Sequence, residues 1–289
     1  MPGKLTSPTV LRDLLARHGV RLRSELGQHF LVDENTLAKI VELAEPAGDE
    51  TAVEVGAGAG TLTCALAPRV RELVAVEVDR RLIPVLEETT AVYPNVRVVQ
   101  GDFRELALAS LGARILLVGN LPYGITSDVL VKLIREREVA ERAVFMVQAE
   151  VGAKLVAPPG PEASRLGVHL RAHFDVEVVR RVPRTVFFPP PEVDSVLIRL
   201  RKLAQPRIAA PEDAFERTLA LVFSSRRKTL RRALLGQLPA AEVDRILAEL
   251  GLDPRVRGET LPLEALDRLA LALPSCGVRS GGQARGGAR

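Results

Sequence analysis

The sequence predicts an α/β fold, a largely parallel sheet with helices on both faces, followed by a small all-helical domain. Three observations lead there. Between residues 50 and 150, short runs rich in Val, Ile and Leu alternate with longer helical segments, as βαβ units do. A glycine-rich turn follows the first of those runs. Beyond Pro206 the β-branched runs stop and apolar residues recur at helical spacing.

Taken in order, Thr51 to Val55, Leu73 to Val78, Val96 to Gln100, Ile115 to Gly119 and Ala143 to Gln148 read as buried strands. Each is short and bounded by Gly, Asp or Pro. Helices are expected near 61–69, 80–91 and 127–138. Val176 to Val179 and Ser195 to Leu200 are strand-like, and the turn between them carries Phe187-Phe188-Pro189-Pro190-Pro191. No central strand tolerates such a run, because proline removes the ladder donors. Helical segments follow at 211–223, 226–236, 241–250 and 262–273. In the last, Leu263, Leu266, Leu269 and Leu273 share a face behind Pro262, which suits a first helical turn. The expected division is 1–204, 205–273 and a Gly/Arg tail, 274–289, too poor in apolar residues to fold.

Composition excludes several classes of function. The chain has 289 residues, 47% hydrophobic and 26% charged, within the range of ordinary globular proteins. Wholly apolar runs such as Ile115 to Val118 fall far short of the roughly 20 residues that span a bilayer. No secretory leader is expected, and two cysteines, Cys64 and Cys276, make no disulfide scaffold. A reducing, cytoplasmic setting without membrane contact is the expectation. The net charge is +4, yet residues 1–267 sum to zero, because four arginines and no acid follow. Any nucleic-acid partner must therefore be argued from local clusters.

The first such argument concerns Val53-Glu54-Val55-Gly56-Ala57-Gly58-Ala59-Gly60-Thr61, where the first strand meets the first helix. Glycines there allow a tight turn and close approach of a nucleotide-like ligand. The third glycine comes one residue early for the nicotinamide-dinucleotide pattern, which disfavours that cofactor. Glu77, 21 residues beyond Gly56, ends the second strand and can accept hydrogen bonds from ribose hydroxyls. Asp102 and Phe103 end the third and offer an acceptor and an apolar face to an adenine edge, although Asp102 can also simply cap a turn. All three features fall at the carboxyl ends of successive strands, where open α/β sheets bind ligands.

The fourth strand runs into Asn120-Leu121-Pro122-Tyr123. An exocyclic adenine amine is a poor nucleophile because its lone pair is delocalised into the ring. Acceptors held at its two N–H groups favour a tetrahedral nitrogen. Asn120 offers a neutral amide oxygen, Pro122 biases Leu121 towards an extended backbone that can aim a carbonyl, and Tyr123 offers a face for an extruded base. Two basic clusters are candidate RNA contacts: Arg226, Arg227, Lys228, Arg231 and Arg232, and Arg180, Arg181 and Arg184. His169 and His173 stand four apart, but no third ligand accompanies them, so no metal is expected.

The ordered set of motifs resembles the KsgA family of small-subunit rRNA adenine dimethyltransferases, among the class I S-adenosylmethionine-dependent methyltransferases with a Rossmann-like sheet. The resemblance covers about residues 20–273 and includes Gly27-Gln28-His29-Phe30-Leu31, Val147-Gln148-Ala149-Glu150-Val151 and Phe187-x-Pro189-x-Pro191-x-Val193-Asp194-Ser195. Ser225 to Arg231 and Arg257-Gly258-Glu259-Thr260-Leu261 extend it into the helical part. It implies that Gln28, His29, Gly56 and Gly58 contact the methionine end of the cofactor, beneath a covering segment at 20–45, with Leu31 and Glu54 beside them. By the same resemblance Glu77 binds ribose and Asp102 with Phe103 the cofactor adenine. Asn120 and Leu121 would hold the target amine, with Asn120 also reaching the cofactor, and Tyr123 and Phe187 would pack on the target base. Ala57 stands where the family usually has Pro, and His29 where Asn is common.

The implied reaction is N6,N6-dimethylation of two adjacent adenosines in the loop near the 3′ end of small-subunit rRNA. The partner would be an immature 30S particle, and the protein a monomer that acts in ribosome biogenesis. Arg180, Arg181, Arg184, Arg227, Lys228 and Arg231 are the expected RNA contacts.

Overall fold

The computed structural model describes residues 4–20, 28–224 and 227–274. Gly27, Ser225, Arg226 and nearly all of the Gly/Arg tail lie outside them. The chain divides into two compact units, residues up to Pro158 with Glu162–Pro206, and Pro159–Pro161 with the residues from Arg207 on.

The first unit opens with α1 (Pro8–Arg17), β1 (Phe30–Leu31) and α2 (Glu34–Ala44). Asp33 caps α2 by accepting from the Thr36 N–H at 2.6 Å. The alternating region follows as β2 (Thr51–Val55), α3 (Thr61–Leu66), β3 (Glu72–Glu77), α4 (Ile83–Thr90), β4 (Val96–Gln100), β5 (Ile115–Asn120), α5 (Thr126–Arg135) and β6 (Ala140–Gln148). After it come α6 (Ala149–Val156), α7 (Arg165–His173), β7 (Phe174–Val182), β8 (Phe187–Phe188) and β9 (Ser195–Lys202).

Seven strands form one sheet in the order β4-β3-β2-β5-β6-β9-β7. β4 to β6 are parallel, whereas β9 and β7 join antiparallel. The two-residue alternation of strands sends neighbouring side chains into separate cores. Val53, Val55, Ile115 and Leu117 pack with Val129 and Leu133 of α5 on one face. Ala52, Leu116 and Val118 pack with Ile40 of α2 and Leu66 of α3 on the other. A fully buried leucine such as Leu117 contributes about 1.5–3 kcal/mol. β1 and β8 pair apart from this sheet, Phe30 opposite Phe188 and Leu31 opposite Phe187.

Two sequence readings change. Val176–Val179 lengthens to β7, because β9 supplies an antiparallel partner along nearly its whole length. Helix α7 carries no clean apolar stripe for the pattern to show, because His169 and His173 stand among its buried residues with Val168, Leu170 and Ala172.

The second unit contains α8 (Glu212–Val222), α9 (Leu230–Leu234), α10 (Ala240–Leu250) and α11 (Leu263–Ala272). Phe215, Leu219 and Val222 of α8 are buried, as are Leu266 and Leu269 of α11, which packs against it. The helix expected over 226–236 is shorter. Thr229 is its N-cap and stands opposite Arg257 in an isolated antiparallel bridge, with the Leu230 N–H donating to the Val256 carbonyl at 2.7 Å, so Arg227 and Lys228 precede the helix.

Candidate active site

Above the carboxyl ends of β2 to β6 lies a cavity of about 720 Å³. That size is ordinary for a small-molecule site, about 300–1,000 Å³. Its floor is the glycine turn. Gly56, Gly58 and Gly60 have φ of +75°, +60° and +88°, the left-handed region that favours glycine. A Cβ on Gly60 would stand 2.6 Å from the Thr89 hydroxyl, and one on Gly58 3.2 Å from the Phe30 ring. The turn is pinned by Gly56 and Ala57, whose N–H groups both donate to the Val76 carbonyl at 3.0 Å.

Glu77 closes the next strand with 7% exposure. One carboxylate oxygen accepts from the Gly58 N–H at 2.8 Å and the other from the Asp79 N–H at 2.9 Å. Burial pushes this carboxyl above the usual range, against those two bonds. Glu54 lies deeper, with Thr63 donating to it at 2.6 Å, and burial pushes its carboxyl up to about 8. Burial thus favours its neutral form.

Asp102 caps its own turn, accepting from the Arg104 N–H at 2.9 Å, and it also lines the cavity. The Arg104 side chain bonded to it holds its carboxyl below the usual range. Phe103 is 3% exposed, part of the core yet presenting an edge to the cavity.

Segment 28–31 forms the opposite wall. Gln28 donates to Asp79 at 2.6 Å, and Asp79 is also paired with Arg81, which pulls its carboxyl down to about 2. His29 meets the Pro189 carbonyl through Nδ1 at 2.8 Å, and its ring lies 6.0 Å from that of Tyr123. Leu31 is buried behind the same wall. At the tip of β5, the Asn120 side-chain nitrogen donates to the His29 carbonyl at 2.8 Å. Burial raises the Tyr123 phenol above its ordinary value, opposed by a hydrogen bond with the Ser195 hydroxyl.

The structure thus gathers Gln28, His29, Leu31, Glu54, Gly56, Gly58, Glu77, Asp102, Phe103, Asn120 and Tyr123 around one cavity. It does not bring the Leu121 side chain or Phe187 there. The Leu121 side chain is 1% exposed in the core, and its N–H donates to the Met146 carbonyl at 3.0 Å. Phe187 stands apart from that cavity. Its ring is 4% exposed and packed with Leu31 and Val182, because pairing with β1 turns it inward. Phe188 beside it packs with the α1 core under the Arg12 guanidinium, 5.0 Å from its centroid.

Sequence reasoning missed Thr61, Val78 and Asp79. Among the described residues the buried Thr61 hydroxyl on the cavity wall has no hydrogen-bond partner, and Val78 is 67% exposed at its mouth. Alternation beyond Glu77 could have pointed to both Val78 and Asp79.

Outside the cavity the basic residues fare differently. Arg180 is exposed, whereas Arg181 pairs with Asp194 at 2.8 Å and Arg184 donates to the Glu192 carbonyl at 3.2 Å. Arg227 and Lys228 are exposed. Arg231 faces Asp244 at 2.6 Å, so its charge is largely compensated within the second unit.

A family model for ribosomal RNA adenine dimethylase matches residues 19–271. The chain belongs to this family. Curated relatives named ribosomal RNA small subunit methyltransferase A, from Geobacillus thermodenitrificans and Bacillus mycoides, are each 39% identical over 93% of this chain and 97% of theirs. Among solved structures, a dimethyladenosine transferase from Plasmodium falciparum superposes with a TM-score of 0.74 at 26% identity, covering 84% of this chain and 96% of that one. The 23S rRNA methyltransferase ErmE gives 0.68 at 32%, covering 84% and 99%.

As a member of the adenine dimethylases the protein is an S-adenosylmethionine-dependent rRNA methyltransferase, and its cavity fits that cofactor. Glu77 and Asp102 offer acceptors on adjacent strands, and among the described residues the Thr61 hydroxyl lacks a partner and the walls carry Glu54, Glu77, Asp79, Asp102 and Glu192 against Arg104. An acidic lining suits a ligand with sulfonium and ammonium charges.

Proposed function

We propose that the protein dimethylates N6 of two adjacent adenosines in the 3′-terminal hairpin loop of small-subunit rRNA, within an immature 30S particle. It acts there as a cytoplasmic monomer. The observation that carries the reading is the likeness to proteins named for the small subunit along 97% of their length, helical unit included. ErmE, named for 23S rRNA, favours a second reading with a large-subunit target.

S-adenosylmethionine, when bound, supplies a methyl carbon made electrophilic by its sulfonium. The protein contributes position. Glu77 and Asp102 accept from ribose and adenine edges of the cofactor, while Gln28, His29 and the glycine turn enclose its methionine end. Asn120 accepts from the target amine through the oxygen that its bond to His29 leaves available. A backbone carbonyl of Leu121 is the second acceptor, and Tyr123, anchored to Ser195, provides the stacking face. Pre-set acceptors of this kind favour the pyramidal, nucleophilic nitrogen without a strong base. As positive charge develops the amine becomes acidic, and water can take the proton.

The test is labelled S-adenosylmethionine with naked 16S rRNA, assembled small subunits and 23S rRNA, each product mapped by mass spectrometry. Two neighbouring N6,N6-dimethyladenosines in the small-subunit loop are expected. Monomethyl product only, after prolonged reaction, or label confined to 23S rRNA would overturn the proposal.

A further inference from the structure

Along its carboxyl edge the sheet presents, in spatial order, Asp102 after β4, Glu77 on β3, the glycine turn after β2, Asn120 on β5 and Gln148 on β6. The first three belong to the side that holds the cofactor. A target base therefore lies over β5 and β6. Asn120 pairs in register with Met146, which places Gln148 two residues farther out on the neighbouring strand. Strand alternation gives Met146 and Gln148 the same face, and both line the cavity.

The Gln148 carboxamide has no structural task. It occupies the N-cap position of α6 without capping it. The turn is held instead by the Ala149 N–H, which donates to the Asp194 carbonyl at 3.0 Å. Among the described residues the half-buried Gln148 side chain makes no hydrogen bond. A carboxamide left unpaired on a ligand wall gains from a polar edge that completes it.

We propose that Gln148 grips the target adenine, its Nε2 donating to a ring nitrogen beside the amino group, N1 or N7. This rests on the reading of the site as one that takes an extruded adenine. The Asn120 oxygen can hold that base only through amino N–H groups, and each methylation removes one. The ring nitrogens survive both transfers. Gln148 is the contact that keeps the monomethylated base in place for the second round, and so it sets the ratio of dimethyl to monomethyl product.

RNA carrying adenosine, 1-deazaadenosine or 7-deazaadenosine at the target positions tests this with wild type, Q148L and Q148N. Products are separated by mass spectrometry, and S-adenosylhomocysteine affinity is measured by calorimetry. One of the two analogues should slow the wild type about tenfold and raise its monomethyl share. Q148L should show both effects on ordinary adenosine, lose nothing further with that analogue, and keep its S-adenosylhomocysteine affinity. Q148N, one methylene shorter, should fall between the two. Wild-type indifference to both analogues, a wild-type product ratio in Q148L, or weakened S-adenosylhomocysteine binding by Q148L would each overturn the assignment. A wild type that leaves unmodified adenosine untouched would instead overturn the underlying reading of the site.

Discussion

The side-chain nitrogen of Asn120 donates to the carbonyl oxygen of His29 at 2.8 Å, across 91 residues of chain. That bond decides which end of the carboxamide is left for a ligand. With nitrogen engaged, the oxygen remains, and the oxygen is what an amine requires. His29 is itself held by the Pro189 carbonyl, and Phe30 pairs with Phe188. The acceptor at the tip of β5 is therefore oriented by the docked segment 28–31.

Asn120→Asp keeps an acceptor but places a carboxylate oxygen against the His29 carbonyl. We expect kcat to fall about 100-fold, the scale of losing one pre-set polar contact in an active site. Steady-state methylation assays check this; a rate within a few-fold of wild type would separate the His29 contact from catalysis.

Glu54 makes stability depend on pH. Below about pH 4.5 its carboxyl is protonated both folded and unfolded. From there to about 8 the unfolded chain releases the proton and the folded one retains it, so rising pH favours unfolding. Glu54→Gln keeps an acceptor for Thr63 and removes that dependence. Its melting temperature should exceed that of wild type by a margin that grows between about pH 5 and about pH 8, by several degrees in all. A constant margin would show that Glu54 ionises normally.

Phe187 and Tyr123 should respond in opposite ways to truncation. Phe187→Ala removes a core ring and should lower unfolding free energy by about 3–5 kcal/mol, measured by urea denaturation. Tyr123→Ala should fold nearly as wild type yet lose kcat/KM for RNA by about tenfold or more, the scale of one base–aromatic stack.

Arg227→Ala with Lys228→Ala should weaken RNA binding and reduce the slope of log affinity against log salt by up to about 2. Arg231→Ala should leave the slope nearly unchanged, because Asp244 already faces that guanidinium. Filter-binding titrations at several salt concentrations separate the two.

Much of this protein was legible in one dimension. The βαβ alternation, the glycine turn and Glu77, Asp102 and Asn120 follow from local rules: strand period, backbone freedom, and the habit of parallel sheets of collecting ligand groups at one edge. Local rules also name residues without saying where they point. Phe187 satisfied a spacing and went into the core because β1 pairs with β8. Arg231 joined a basic run and found Asp244 thirteen residues on. The place of Thr61 on the cavity wall and the unbonded Gln148 amide became visible only once distant strands stood side by side. Chain pattern encodes which face of an element is apolar; which partner meets that face depends on long-range pairing, and that pairing decides whether a side chain is buried, neutralised or left for a ligand.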